Sequence, residues 1–240
     1  MSIGWMLLIT ILVLQASVLF TTIYLHRSLT HKGLRLHPVI GNLMHLHLML
    51  FTGIIPREWI AVHRKHHAYS DKPGDPHSPY LYGLWKVLFG NAFYYRREAN
   101  NPATIRRFTR DYEEDMIDKL RIGGWGILGG LAIFLGLFGW AWGPALFVGQ
   151  ALLYVLLNAS INSICHMVGY RNFDNKATNL QSIALLTAGE GLHNNHHQFP
   201  AAPKLSVKRH EFDPAWPVIR LLVVFRLAEV TMPLPVAQAA

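Results

Sequence analysis

Two long stretches without charged side chains limit the folds that are open to this chain. From Ile122 to Tyr170 there are 49 residues without Asp, Glu, Lys or Arg, about twice the roughly 20 that a membrane-spanning helix needs. Gly143 and Pro144 are placed to turn the chain between two such helices. Residues 1–25 are uncharged as well, and a signal peptide is the less favoured interpretation there because the basic start is missing.

We therefore expect an all-α integral membrane protein that forms a single domain over residues 1–240. About three transmembrane helices are predicted, at 3–25, 122–142 and 145–168, together with interfacial helices and a cytoplasmic histidine-rich cap. The cytoplasmic segments are predicted at 26–121 and 169–240, because these two segments contain all 22 Lys and Arg residues and cytoplasmic loops are rich in both. The amino terminus is then expected outside.

Histidine is the unusual residue of this composition, since its 14 copies equal the number of acidic residues. Most of them fall in three clusters: HRSLTH at 26–31, HRKHH at 63–67 and HNNHH at 193–197. In the second cluster His63, His66 and His67 have the spacing i, i+3, i+4, so a helix presents all three on one face, aimed at a common point. The third cluster repeats that spacing. A single such histidine is usually a packing residue, but three clusters on one side of a membrane indicate a metal site.

The number of donors argues for two ions. The two spaced triplets supply six imidazole nitrogens, more than one zinc ion uses, and His26 and His31 add two more where the first predicted span ends. Neutral imidazole binds iron, copper, zinc and nickel, so the ligand type alone does not identify the metal. The single cysteine, Cys165, excludes a cysteine-based zinc or iron–sulfur site within one chain.

The histidine clusters also decide how to interpret the uncharged run from Val39 to Ile55. At 17 residues it is marginally long enough to span a bilayer. If it did, the first and second clusters would lie on opposite faces of the membrane and could not share one site. We therefore expect a helix that dips into the cytoplasmic face or lies along it.

Further motifs accompany the clusters along the chain. Trp59 stands four residues before HRKHH, DPHSP occupies 75–79, NSICHMVGYR occupies 162–171, and GEGLHNNHH contains the third cluster. In this order they resemble the integral-membrane fatty-acyl desaturases, including the acyl-CoA type, whose three histidine boxes read H-x4-H, H-x2-HH and H-x2-HH. The resemblance covers most of the chain.

The resemblance implies an oxygen-dependent oxidoreductase that introduces a cis double bond into a saturated acyl chain. Two iron ions (Fe2+) would be the cofactor and O2 the co-substrate, with no catalytic residue beyond the metal site. The implied metal-site residues are His26, His31, His63, His66, His67, His166, His193, His196 and His197, with Asn162 acting through water. Trp59, Asp75 and His77 are expected to support these ligands or to line the substrate site.

The implied partners are an acyl substrate, an electron donor and membrane lipid. The acyl group could be carried by CoA, acyl carrier protein or a glycerolipid, because Ala61 and Val62 stand where animal acyl-CoA desaturases have a basic and an acidic residue. Electrons are expected from a separate ferredoxin, or from a cytochrome with its reductase. The net charge of +8 fits anionic lipid, and we expect no nucleic-acid partner.

Other chemistry stays open at this point. Hydroxylation or ketolation of a lipid chain could occur on the same scaffold, since the same oxidant can return oxygen to the substrate. A non-catalytic membrane protein that binds metal or haem is more distant, because its ligands should lie deep in several spans. Five aromatic residues could line the acyl slot, although such residues are more often interfacial anchors: Tyr80, Tyr82, Trp85, Phe89 and Phe93.

Overall fold

The computed structural model describes residues 1–235, which are mainly helical. Helix α1 covers Ile3–Phe20 and continues directly into a π-helix over Thr21–Thr30. The other helices are α2 Pro38–Phe51, α3 Pro56–Tyr69, α4 Pro79–Tyr82, α5 Leu84–Ala99, α6 Pro102–Phe108, α7 Ile127–Met167, α8 Gln181–Leu186, α9 His193–Gln198 and α10 Ala215–Val224, with 3-10 turns at Asp118–Leu120 and Gly123–Gly126. Two short strands, β1 Leu34–Leu36 and β2 Ala228–Val230, pair in antiparallel register.

Two helical segments are long and apolar enough to cross a membrane, Ile3–Thr30 and Gly123–Met167. The second covers 45 residues, more than twice the roughly 20 needed for one crossing. The chain is therefore an all-α integral membrane protein, as the uncharged stretches predict.

Helix α7 is a hairpin of two arms. At Gly139 the backbone takes φ +72°, a left-handed value that glycine adopts at little cost. The rings of Phe134 and Phe147 lie 5.4 Å apart between centroids, whereas a straight helix would separate these positions by about 20 Å. The predicted turn at Gly143 and Pro144 is wrong, because both lie within the second arm. Gly143 instead allows the arms to approach, since a Cβ there would lie 2.8 Å from the carbonyl oxygen of Phe134.

Helices α2 and α3 form a sharply bent pair. Tyr24 lies against Gly41 and Ser17 lies 2.9 Å from His47, so α2 runs back alongside α1. The chain then turns by 91° into α3. Ring nitrogens of the first and second histidine clusters approach to 3.0 Å, which places both clusters on one side. The approach of the two clusters favours a re-entrant run from Val39 to Ile55 over a broken span.

A buried ion pair joins the segment after α7 to the end of α1. Arg27 is 1% exposed, and its guanidinium donates two hydrogen bonds to the carboxylate of Asp213 at 2.8 and 3.0 Å. The same guanidinium donates to the carbonyl oxygens of Pro203 and Ala188. Because a buried charge is costly unless it is paired, these contacts fix the carboxy-terminal loops next to the first histidine cluster.

Candidate metal centre

Five imidazoles converge where the π-helical segment ends. They come from all three sequence clusters: His26, His31, His63, His67 and His196. One ring nitrogen of each lies within 4.8 Å of those of the others, and successive Nε2–Nε2 distances run from 2.8 to 3.1 Å. We call this set the five-imidazole cluster.

A second set of imidazoles lies beside the first: His66, His166, His193 and His197. Its successive Nε2–Nε2 distances are 3.1 to 3.3 Å, and we call it the four-imidazole cluster. The rings of His67 and His197 stack with their centroids 4.6 Å apart, so the two clusters share a wall. All nine histidines that the sequence analysis selected are thus brought together.

Each helical histidine motif contributes to both clusters. On α3, His63 and His67 turn towards the five-imidazole cluster and His66 towards the other. The reason is helical geometry, because residues four apart nearly overlie one another, whereas a residue three apart is displaced by about 60° to the other side. On α9 the same geometry separates His196 from His193 and His197. The expectation that each triplet aims at one common point is therefore wrong.

The π-helix explains how the first motif converges. His26 and His31 are five residues apart, which on an α-helix would point them about 140° away from each other. A π-helix instead forms hydrogen bonds between residues five apart, and the amide of His31 donates to the carbonyl oxygen of His26 at 3.1 Å. Their rings lie 4.8 Å apart, so this local winding places both in one cluster.

Three buried carboxylates each contact the Nδ1 atom of one cluster histidine, the ring nitrogen that faces away from the cluster. The Nδ1–oxygen pairs are His26 with Glu190 at 2.7 Å, His66 with Asp75 at 3.0 Å, and His166 with Asp71 at 2.7 Å. A carboxylate that accepts the Nδ1 hydrogen leaves the Nε2 lone pair free to bind a metal. Asp75 was selected from the sequence, whereas Asp71 and Glu190 were not. Their closeness to the histidine motifs could have indicated them, since Asp71 lies four residues after His67 and Glu190 lies three residues before His193.

The donor set fits a transition metal such as iron. Burial lowers the pKa of His193, His196 and His197 well below the usual value, and the neighbouring imidazoles lower it further. Neutral rings whose lone pairs face one another repel unless a cation lies between them. Two nitrogens about 2.1 Å from one ion and at right angles lie about 3.0 Å apart, which matches the spacing in both clusters. Imidazole ligands without thiolates suit iron.

A cavity of about 360 Å³ opens beside the clusters. Its lining includes the cluster members His26, His63 and His193. The remaining wall is mainly apolar and includes Ile54, Ile55, Val62, Ile127, Val155 and Ile161. A mainly apolar cavity with a few polar groups is the usual form of a site for a largely hydrocarbon ligand.

The other residues selected from the sequence lie around this cavity. Trp59 stacks on His63 with 4.8 Å between ring centroids and an angle of 10° between planes. Asn162 and His77 line the cavity, and the Asn162 amide donates to the side chain of Asn91 at 3.3 Å.

The five aromatic residues suggested for the acyl slot do not line this cavity. Trp85, Phe89 and Phe93 are 67%, 74% and 67% exposed, because α5 turns this face outwards. Tyr80 donates from its hydroxyl to the carbonyl oxygen of His166, and Tyr82 donates to that of Asp75. These two tyrosines attach α4 to the backbone of one candidate ligand and of one supporting carboxylate residue, and they lie outside the cavity.

Two histidines of α2, which lie outside the clusters, have separate partners. His45 approaches Asp115 at 2.8 Å, whereas His47 approaches Ser17 on α1. Two residues apart on a helix, they point in different directions. His210 is exposed and belongs to neither cluster.

Comparison with known proteins gives consistent matches. A family model described as fatty acid desaturase matches residues 3–228. The chain is 32% identical over 216 residues to an sn-1 stearoyl-lipid 9-desaturase of Anabaena variabilis, covering 86% of this chain and 76% of that protein. It is 31% identical over 223 residues to an acyl-CoA C20 Delta5-desaturase of Anemone leveillei, covering 87% and 67%. It is 32% identical over 224 residues to a hex-5-enoyl-[acyl-carrier protein] acetylenase of Moorena producens, covering 82% and 67%.

Proposed function

The chain belongs to the fatty acid desaturase family, and from that premise we propose an oxygen-dependent desaturase that uses two iron ions to introduce a cis double bond into a saturated acyl chain. The observation that carries this proposal is the convergence of nine imidazoles in two adjacent clusters, three of whose members line a mainly apolar cavity. Each cluster would hold one iron ion, and Asn162 would complete the four-imidazole cluster through water.

When bound, the iron pair supplies the oxidation, in which dioxygen takes two hydrogens from adjacent methylenes and two external electrons with two protons, and becomes two water molecules. The protein holds the donors in place for this reaction. Asp71, Asp75 and Glu190 orient three of the rings, and Trp59 packs flat against His63. The apolar cavity wall keeps bulk water away from the reacting carbons.

The cavity supports a fatty-acyl group as the substrate. The acyl chain would lie between the re-entrant loop at Ile54 and the α7 residues Ile127 and Val155, with reacting methylenes beside His63 and His193. The three relatives are named for a lipid, an acyl-CoA and an acyl carrier protein substrate. The same three carriers are therefore the candidates for this chain.

We further propose that the clusters face the cytoplasm and that the amino terminus lies outside. The proposal rests on charge, because all 22 Lys and Arg residues fall in the segments 26–121 and 169–240 and the positive-inside rule assigns such segments to the cytoplasm. Electrons would come from a ferredoxin, or from a cytochrome with its reductase, that approaches from that side.

Product analysis tests the reaction. The purified iron-loaded protein is incubated with oxygen, an electron donor and one saturated acyl chain presented on CoA, acyl carrier protein or a glycerolipid. Loss of two hydrogens from the product mass supports desaturation, whereas gain of oxygen indicates hydroxylation or ketolation and contradicts it. His63→Ala and an oxygen-free incubation are the controls. Lipid profiling with the protein expressed and deleted then identifies the carrier and the double-bond position in the cell.

A further inference from the structure

His77 differs from the nine clustered histidines because its ring has no polar partner. The side chain is 4% exposed, and neither ring nitrogen has a hydrogen-bond partner among residues 1–235. Leaving a buried polar group unpaired is unfavourable, so native proteins contain few such groups, and each needs a reason. Each clustered ring by contrast has at least one nitrogen that faces another cluster member or a carboxylate, and only the Nδ1 atoms of His193 and His196 are both buried and unpaired among these nine rings.

The loop around His77 is firmly held, so the unpaired ring does not reflect a loose segment. The amide of His77 donates to Asp75 at 3.1 Å, and the hydroxyl of Ser78 donates to Asp71 at 2.6 Å. These carboxylates are the same two that orient rings of the four-imidazole cluster. The position of His77 is thus fixed by the groups that fix the candidate metal ligands.

The ring of His77 lies next to the four-imidazole cluster without being a member. Its centroid is 4.8 Å from that of His66. A ring nitrogen of His77 lies within 4.8 Å of ligand atoms of His66 and Asp75, but none lies that close to all four nitrogens of the four-imidazole cluster. His77 lines the cavity together with His193 and Asn162. Its ring nitrogens are therefore available to a ligand in the cavity.

We propose that His77 is a positioning residue that donates a ring N–H hydrogen bond to dioxygen as the dioxygen takes up electrons in the cavity beside the four-imidazole cluster. A neutral imidazole has one N–H donor for this purpose. The hydrogen bond would hold the oxidant between the cluster and the substrate methylenes. This inference rests on the proposed function, because the cluster must hold iron for dioxygen to react there.

Azide binding tests the proposal without depending on turnover. Azide is a small anion that binds ferric iron, and its affinity for the oxidised protein is measured by absorption titration in His77→Phe and His77→Gln. His77→Phe keeps an aromatic ring against His66 but loses the donor, so the azide Kd should rise about 10-fold or more, since hydrogen bonds to charged groups are among the stronger ones. His77→Gln restores a donor and should return the Kd to within about 3-fold of wild type. His210→Phe, the same change on the surface, should leave it unaltered.

Iron content separates the possible failures. The proposal expects two irons per chain in both His77 variants, with more electrons consumed per double bond formed in His77→Phe. An unchanged azide Kd in His77→Phe with both irons retained would overturn the role of His77 and leave the di-iron proposal standing. Loss of iron from both variants would also overturn it, since His77 would then be a ligand or a structural residue. A wild-type protein that binds no iron would overturn the di-iron proposal itself.

Discussion

The two imidazole clusters share a wall, but the protein builds them differently. The five-imidazole cluster draws on all three histidine boxes, and its members His31, His63 and His67 are partly exposed. The four-imidazole cluster contains no residue of the first box and depends on His166, near the end of α7; only its member His197 is partly exposed. The buried cluster is therefore tied to the end of α7 and has fewer donors, whereas the five-imidazole cluster is tied to the first span through His26.

The supporting carboxylates follow the same division. Asp75 and Asp71 hold two of the four rings in the buried cluster, whereas Glu190 holds one of the five in the other. The four-imidazole cluster has fewer donors and holds them more rigidly, so it should bind metal only while every donor is in place. The five-imidazole cluster has more donors and fewer supporting carboxylates, so it should tolerate small displacements of a ring. The comparison thus predicts that equivalent changes have larger effects on iron binding in the four-imidazole cluster.

The largest effect is expected from removing a ligand of the four-imidazole cluster. His166→Ala and His193→Ala each leave three imidazoles there, whereas His63→Ala leaves four in its cluster. All three variants should lose at least about 1,000-fold in activity, because the bound metal carries the chemistry. Iron per chain, measured by metal analysis of folded protein, should fall further in the first two. Equal iron losses would break the comparison, and full activity with two irons in all three variants would refute the ligand assignment.

The second effect concerns stability and the scaffold next to the five-imidazole cluster. Asp213→Ala leaves the buried Arg27 with only the more distant carboxylate of Glu190, at 4.0 Å, and breaking a buried pair costs about 3–5 kcal/mol. Thermal unfolding in detergent should show a lower Tm, with iron lost from the five-imidazole cluster first. Asp111→Ala is the matched control, because Asp111 pairs with Arg64 at a partly exposed position where ion pairs contribute less than about 1 kcal/mol. A similar fall in Tm for both variants would contradict the role given to the buried pair.

The third effect compares the carboxylates directly. Asp71→Asn and Glu190→Gln keep the size of each side chain but weaken its hold on the Nδ1 hydrogen, and losses of such partners typically reduce metal affinity about 10- to 100-fold. Asp71→Asn should lie at the upper end of that range, since its partner His166 belongs to the cluster with fewer donors. Competition with a chelator measures both affinities. A larger loss in Glu190→Gln would reverse the comparison.

The candidate ligands could be predicted from the sequence, but how they divide between the two clusters could not. The spacing of His63, His66 and His67 is visible in the sequence, but which rings share an ion depends on how α3 and α9 face each other. The π-helix that joins His26 to His31 left no local signal. The hairpin turn was misplaced because Gly143 and Pro144 form the stronger turn pattern, whereas the φ of Gly139 is set by how the two arms pack.

The smallest effect is expected at His210. Its variant tests whether metal binding needs the two clusters or only a histidine-rich surface. His210 is exposed and lies outside both clusters. Within residues 1–235 the one aromatic ring near it is that of Tyr170, with 5.9 Å between centroids. His210→Ala should change activity by less than about 2-fold and stability by less than about 0.5 kcal/mol, as is usual for surface substitutions. Activity, iron content and Tm measured beside His166→Ala provide the check. A loss of iron at His210 would mean that metal binding extends beyond the two clusters, and the contrast between them would no longer explain the site.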